Sequence, residues 1–192
     1  MTRLDRQIAF LVEADRLKSV DRATTLADAS RHENSAEHSW HLCLYALVLS
    51  DQAGPDVDIS RVIKMLILHD LVEIDAGDNP VFADVDAAAV AAQEAAAADR
   101  IFGLLPDDLR DELRAIWEEF ERAESRSAQF AKALDRFQPP IQNLMSGGAS
   151  WTTYKATPDK IEARVAPAIK RGAPALWDYA KARIDVFFAA RT

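Results

Sequence analysis

The run Leu66-Ile67-Leu68-His69-Asp70-Leu71-Val72-Glu73-Ile74-Asp75-Ala76-Gly77-Asp78 ends an apolar, helix-like stretch in an adjacent imidazole and carboxylate, with further acids beyond. Burying such groups costs free energy unless they are paired or bound to a metal. Of the four histidines, His38, His41 and His69 lie on or beside apolar runs. His38, His69, Asp70 and an acid from a later helix are therefore candidates to converge on one divalent ion. Mixed imidazole and carboxylate donors suit Mn²⁺, Co²⁺, Fe²⁺ or Zn²⁺, whereas closed structural zinc sites favour cysteine. Protein ligands that leave coordination positions open permit hydrolysis, because a metal acidifies water and polarises a phosphoryl oxygen.

Each residue also has a plain structural reading. A histidine on an apolar helix is commonly a hydrogen-bonded core residue. His41, between Trp40 and Leu42, is read that way, and His32 as a loop residue that is either exposed or in weak contact with substrate. Asp135 lies in Ala131-Lys132-Ala133-Leu134-Asp135-Arg136-Phe137. It either ligates a metal or pairs with Arg136, Lys132 or Arg126, and spacing alone leaves both readings open. Glu33 to Trp40 gathers polar groups at a helix start, where backbone donors can hold anions.

These residues need helices to position them. Apolar spacing predicts a helix over 6–18, and Ser35 is read as the cap of one over 36–52 that ends at Gly54-Pro55. Ser60 is read as capping a helix over 61–73, followed by a loop near 75–84. An Ala-rich helix over 85–102 follows, stopped by Gly103 and Pro106. Amphipathic stretches over 107–123 and from Ser125 or Ser127 to Pro139-Pro140 or a little later extend the pattern. Thr157-Pro158 opens a helix that Pro167 divides, and a last one spans 174–190. The polar stretch 20–34 reads as an ordered loop, with no hairpin signal. The expected fold is all-α, six to eight helices around one core.

Composition narrows the function. The 192 residues are 49% hydrophobic, enough for a sizeable core in one domain. One cysteine, Cys43, excludes an internal disulfide framework and is read as a buried, inert thiol. Asp5, Arg6, Glu13 and Asp15 give the N-terminus no signal-peptide pattern, so a cytoplasmic location is expected. No apolar run approaches the ~20 residues of a membrane span. A net charge of -8 argues against nucleic-acid polymers and anionic membranes as partners.

Taken together, Arg31-x-Glu33-Asn34-x-Ala36-Glu37-His38-Ser39-Trp40, His69-Asp70-x-x-Glu73-x-x-x-Gly77-Asp78 and Lys132-Ala133-Leu134-Asp135-Arg136 resemble the HD-domain metal-dependent phosphohydrolases, most closely their 5′-deoxynucleotidase-like branch. The resemblance covers roughly residues 5–145. It implies an HD phosphohydrolase domain over 1–150, with helices of 151–192 packed on it. It implies that His38, His69, Asp70 and Asp135 hold one divalent ion, whether Mn, Co, Fe, Mg or Zn. It further implies that Glu73 orients or deprotonates the attacking, metal-bound water. Asp78 would contact the sugar and disfavour a 2′-hydroxyl, and Arg22 would clamp the phosphate, with Arg31 or Lys132 as helpers. A guanidinium fork suits phosphate bidentately. One departure is that Ala23 follows Arg22 where the best-known bacterial form has an aromatic residue; another is the length of the stretch from Arg22 to His38.

The expected function is removal of the 5′-phosphate from (deoxy)nucleoside monophosphates, with a small-molecule nucleotide substrate and a homodimeric assembly. Two alternatives stand beside it. One is an HD-type phosphatase or phosphodiesterase acting on another phosphorylated metabolite; the lack of histidines after His69 argues against a two-metal phosphodiesterase. The other is a non-catalytic, metal-stabilised helical dimer that binds nucleotide. Trp151, Trp177 and Tyr179 are read as core or dimer contacts rather than base-stacking groups.

Overall fold

Ser125 accepts a hydrogen bond from the Ala128 amide and starts the longest helix, α7 (Arg126–Met145), about which the others pack. The computed structural model describes residues 1–191. Before α7 come α1 (Arg3–Ala14), α2 (Ser35–Val48), α3 (Ile59–Leu68), the single turn α4 (Glu73–Ala76), α5 (Ala87–Phe102) and α6 (Asp107–Arg122). After it come α8 (Ala149–Thr153), α9 (Pro158–Arg164), α10 (Ala166–Gly172) and α11 (Pro174–Ala189). The protein is all-α apart from one two-stranded ribbon, β1 (Asp21–Thr25) and β2 (His32–Asn34). No helix among the described residues is long and apolar enough to cross a membrane.

Helix α7 is buried along much of its length, at Phe130, Ala131, Ala133, Leu134 and Phe137, and touches α2, α3, α6, α10 and α11. It continues through Pro139 and Pro140 to Met145, where the side chain of Asn143 donates to the Pro139 carbonyl. The C-terminal helices share the core: α10 lies against α7, with Gly172 so near the Gln129 carbonyl that a Cβ would overlap it. Trp151 and Trp177 are buried, whereas Tyr179 is half exposed. Cys43 is only half-buried, its thiol pushed up to about 11 by burial.

Three local expectations are corrected. The stretch 20–34 is a hairpin, antiparallel with Asp21 opposite Asn34 and Thr25 opposite His32, and irregular between. Its strands are short and polar, and its turn places Ala29 at φ 60° instead of using the Asn-Gly signature. The caps of α2 and α3 are Asn34 and Asp58, ahead of Ser35 and Ser60; Asn34 and Glu37 form a capping box. The helix expected over 61–73 breaks at His69 into a tighter turn, His69–Val72, before α4. That break sets up the site.

Candidate metal centre and active site

Helix α3 carries an apolar face into the core at Val62, Met65, Leu66 and Leu68, and so delivers His69 and Asp70 to the interior. In the 3₁₀ turn that follows, residues three apart eclipse, which stacks Asp70 and Glu73 on one side. Gly77, at φ 73°, then turns the chain back so that Asp78 faces the same space. From α2 comes His38 and from α7 comes Asp135, both buried.

His38, His69 and Asp135 each offer one donor atom, and the three atoms lie within 4.8 Å of one another. Asp135 Oδ1 is 3.1 Å from His38 Nε2 and 3.8 Å from His69 Nε2. His69 Nδ1 lies 2.9 Å from the Leu66 carbonyl, which only accepts, so Nδ1 carries a proton and Nε2 points inward. That buried Nε2 has no hydrogen-bond partner, although Asp70 Oδ1 is 3.0 Å away. A buried nitrogen left in this state, ringed by carboxylates, fits a divalent ion. Asp70 stands at the edge of the cluster, its Oδ2 accepting from Arg22 at 3.1 Å.

A second set of side chains, not foreseen from the sequence, holds His38. Its Nδ1 donates to Gln138 Oε1 at 3.2 Å, and Gln138 Nε2 in turn donates to Glu33 Oε1 at 3.0 Å. Gln142 donates to the same oxygen at 2.8 Å. Glu33 Oε2 lies 3.5 Å from His38 Nδ1 and 3.7 Å from Arg22 Nε. Burial works against the Glu33 charge, but His38 and the donated hydrogen bonds hold its carboxyl below the usual range. Carboxylates behind a ligating imidazole fix its orientation and raise its basicity, and their loss weakens metal binding by roughly 10–100-fold. Glu33→Gln is expected to weaken Mn²⁺ binding within that range, measured by titration calorimetry. An unchanged affinity would show that Glu33 does not support His38. Gln138 sits one turn beyond Asp135 on α7, and Glu33 lies across the hairpin from Arg22, a placement that only the folded chain makes.

Arg22 is buried, with Asp70, Glu73 and Asp78 within 4.0 Å of its NH1. Burial opposes its charge, yet these acids raise its pKa above the ordinary value. Asp78 also accepts from the Ala23 amide at 3.2 Å, and Glu73 accepts from Ser35 Oγ at 2.5 Å. An open cleft reaches these groups, lined by Arg22, His69, Asp70, Glu73, Asp78 and Asp135 among others.

Arg31 is a correction. It is half exposed and forks onto Glu37, at 2.8 and 2.6 Å, outside the cleft. Lys132 does line the cleft, but it pairs with Glu121 at 3.1 Å over the Phe120 ring. His41 packs edge-on to Tyr45 away from the cluster, and exposed His32 meets the Arg22 carbonyl.

The charges leave a marked pH signature in the metal-free protein. Burial opposes protonation of His69, but Asp70 and Asp135 raise its pKa to about 10. Burial, then Asp70, pushes Glu73 up to about 9. Asp70 is brought down to about 2 by His69 and Arg22 against its own burial, and Asp135 lies well below its usual range beside Arg136 and the histidines. Folded His69 and Glu73 therefore bind protons more tightly than unfolded ones. Their contribution is complete at low pH and is lost as pH rises towards 9–10. In EDTA, Tm is expected to fall between pH 6.5 and 9. Saturating Mn²⁺, which stabilises by binding the folded state, should flatten that fall. A Tm in EDTA that holds level across this range would contradict the assignment.

The architecture and the cluster define a helical-bundle protein with a candidate metal centre at the base of an acidic, arginine-lined cleft. The HD domain model matches residues 14–177, and the chain belongs to that family. It is 31% identical over 140 residues to the 5′-deoxynucleotidase HDDC2 of Danio rerio, covering 72% of this chain and 68% of that protein. It is 29% identical over 136 residues to the Homo sapiens protein of the same name; the match covers 70% of this chain but 65% of that relative's length. A crystal structure of a predicted metal-dependent phosphohydrolase from Magnetospirillum magnetotacticum MS-1 superposes with a TM-score of 0.91. The two are 42% identical, over 97% of this chain and 96% of the other.

Proposed function

We propose that the protein is a metal-dependent phosphomonoesterase that removes the 5′-phosphate from nucleoside monophosphates, preferentially deoxyribonucleotides. The observation that carries this reading is the convergence of His38, His69 and Asp135 beneath a cleft that also receives Arg22, Glu73 and Asp78. The names of the HDDC2 relatives support the substrate class.

In this reading His38, His69, Asp70 and Asp135 hold one divalent ion, with Asp70 turning from Arg22 to join the other three. When bound, the ion supplies a Lewis acid for the phosphoryl group and acidifies water. Arg22 neutralises the non-bridging phosphate oxygens, and the surrounding acids hold its guanidinium in place before substrate arrives. Glu73, fixed by Ser35, takes the proton from the attacking water. Asp78, held by the Ala23 amide, meets the sugar, where a 2′-hydroxyl would crowd it.

The C-terminal helices within 151–191 pack on the same domain. The protein is a cytoplasmic homodimer; exposed Trp40, Leu47 and Val48 on α2 offer an apolar surface for the twofold contact. Phosphate release would be measured from deoxy- and ribonucleoside 5′-monophosphates, a 3′-monophosphate and a simple diester, after metal removal and return of Mn²⁺, Co²⁺ or Mg²⁺. Release confined to 5′-monophosphates, highest for deoxyribose, supports the proposal. Cleavage of the diester, or silence with metal bound, removes it.

A further inference from the structure

The cleft is lined by three lysine and arginine side chains, Arg22, Lys132 and Arg136, and the demands on them differ. Arg22 is closed in by Asp70, Glu73 and Asp78, with Glu33 behind its Nε. Lys132 is engaged by Glu121 and lies 3.8 Å from the centre of the Phe120 ring. Among the described residues Arg136 has one ion-pair partner within 4.0 Å, Asp135 Oδ2, at 3.7 Å from its Nε and beyond a good hydrogen bond; its charge also reaches Glu94, and its side chain is 39% exposed. It also lines a second, narrower and more enclosed pocket that shares Arg22, Asp78 and Pro80 with the cleft. Arg136 therefore stands where the two spaces meet, one residue along α7 from the metal cluster.

A phosphate dianion entering this cleft meets the carboxylates of Asp70, Asp78 and Asp135. A bound divalent ion and Arg22 would together offset those three charges, which leaves the dianion's own charge to be met by a further cation. We infer that Arg136 is a substrate-binding residue that takes the phosphate from the solvent side, opposite Arg22. The planar fork, free to leave Asp135, offers two parallel donors to phosphate oxygens, a geometry Lys132 cannot match. The inference rests on the phosphomonoester reading but not on the leaving group being a nucleoside.

The test is calorimetric binding of inorganic phosphate to Mn²⁺-loaded protein, with metal content measured on the same samples. Arg136→Gln is expected to keep its metal and bind phosphate roughly 10–100-fold more weakly, as for the loss of a charge-assisted hydrogen bond. Lys132→Gln should change it little. Arg136→Lys keeps the positive charge beside Asp135 but not the fork, and intermediate affinity is expected. Metal-loaded Arg136→Gln that binds phosphate like the wild type overturns the inference, as does wild-type protein that binds none. If Arg136→Gln loses its metal, Arg136→Lys decides: affinity equal to the wild type overturns the proposal and weaker binding supports it. A wild-type enzyme that binds phosphate through Arg136 yet hydrolyses no nucleotide removes the nucleotidase reading and leaves this one standing.

Discussion

Asp135→Asn should purify with less than about a tenth of the wild-type divalent metal and with turnover lower by roughly a thousandfold or more. The size follows from what an ion contributes: lowering the pKa of water from about 15.7 towards 7 is worth many powers of ten in available nucleophile. The substitution keeps the side chain's volume and one oxygen but removes the charge that lies 3.1 Å from His38 Nε2 and 3.8 Å from His69 Nε2. In the metal-free protein the same change takes away an anion that keeps His69 protonated, so the His69 pKa should drop. Metal content by plasma mass spectrometry, phosphate release and circular dichroism together decide the matter. A folded Asp135→Asn protein with full metal occupancy would exclude Asp135 from the ligand set.

Glu73→Gln should retain its metal while kcat falls by about 10²–10⁴-fold, the usual contribution of a positioned general base. Gln is nearly isosteric with Glu and can still accept from Ser35 Oγ, so the turn over His69–Val72 is expected to survive. KM should move little, because the proton transfer belongs to the transition state rather than to ground-state binding. The pH–rate profile adds a separate check. Burial and Asp70 raise the Glu73 pKa in the metal-free protein, and a nearby dication opposes that shift. The acidic limb of the wild-type profile should therefore vanish in the variant. Undiminished kcat with metal bound would remove Glu73 from the chemistry.

Sequence made the helical plan legible where period and punctuation agreed. The Ala-rich helix behind Asp86, the amphipathic α6 and the Thr157-Pro158 start of α9 all stand near their expected limits. His38, His69, Asp70, Asp135 and Glu73 could be singled out because each placed an ionisable group on or beside an apolar run, whereas Asp78, between Gly77 and Asn79, was singled out only through the family resemblance. Arg31 could not be separated from Arg22 in that way. Both lie in a polar stretch, and only strand pairing puts one inside the cleft and the other on Glu37. The break at His69 was hidden for a different reason. The stretch 62–72 contains no Gly or Pro, its apolar pattern is broken only by Lys64, His69 and Asp70, and the tighter turn answers to tertiary packing instead of local propensity. Glu33 and Gln138 gave no local sign of their part, because the network joins residues 105 positions apart in the chain.

The hairpin has a consequence for how this chain tolerates insertions and deletions. Side chains alternate along a strand, so losing one residue within Asp21–Thr25 would reverse the sidedness of everything beyond it. Arg22 would turn towards solvent, and Glu33 would lose its charged neighbour. The exposed tip from Ala27 to Ser30 lies beyond the last cross-ribbon bond, from the Leu26 amide to the Arg31 carbonyl. Its length is free to drift, since loop closure grows only slowly with added residues. Length variation should therefore accumulate at the tip of the ribbon, while its base keeps an unchanging residue count.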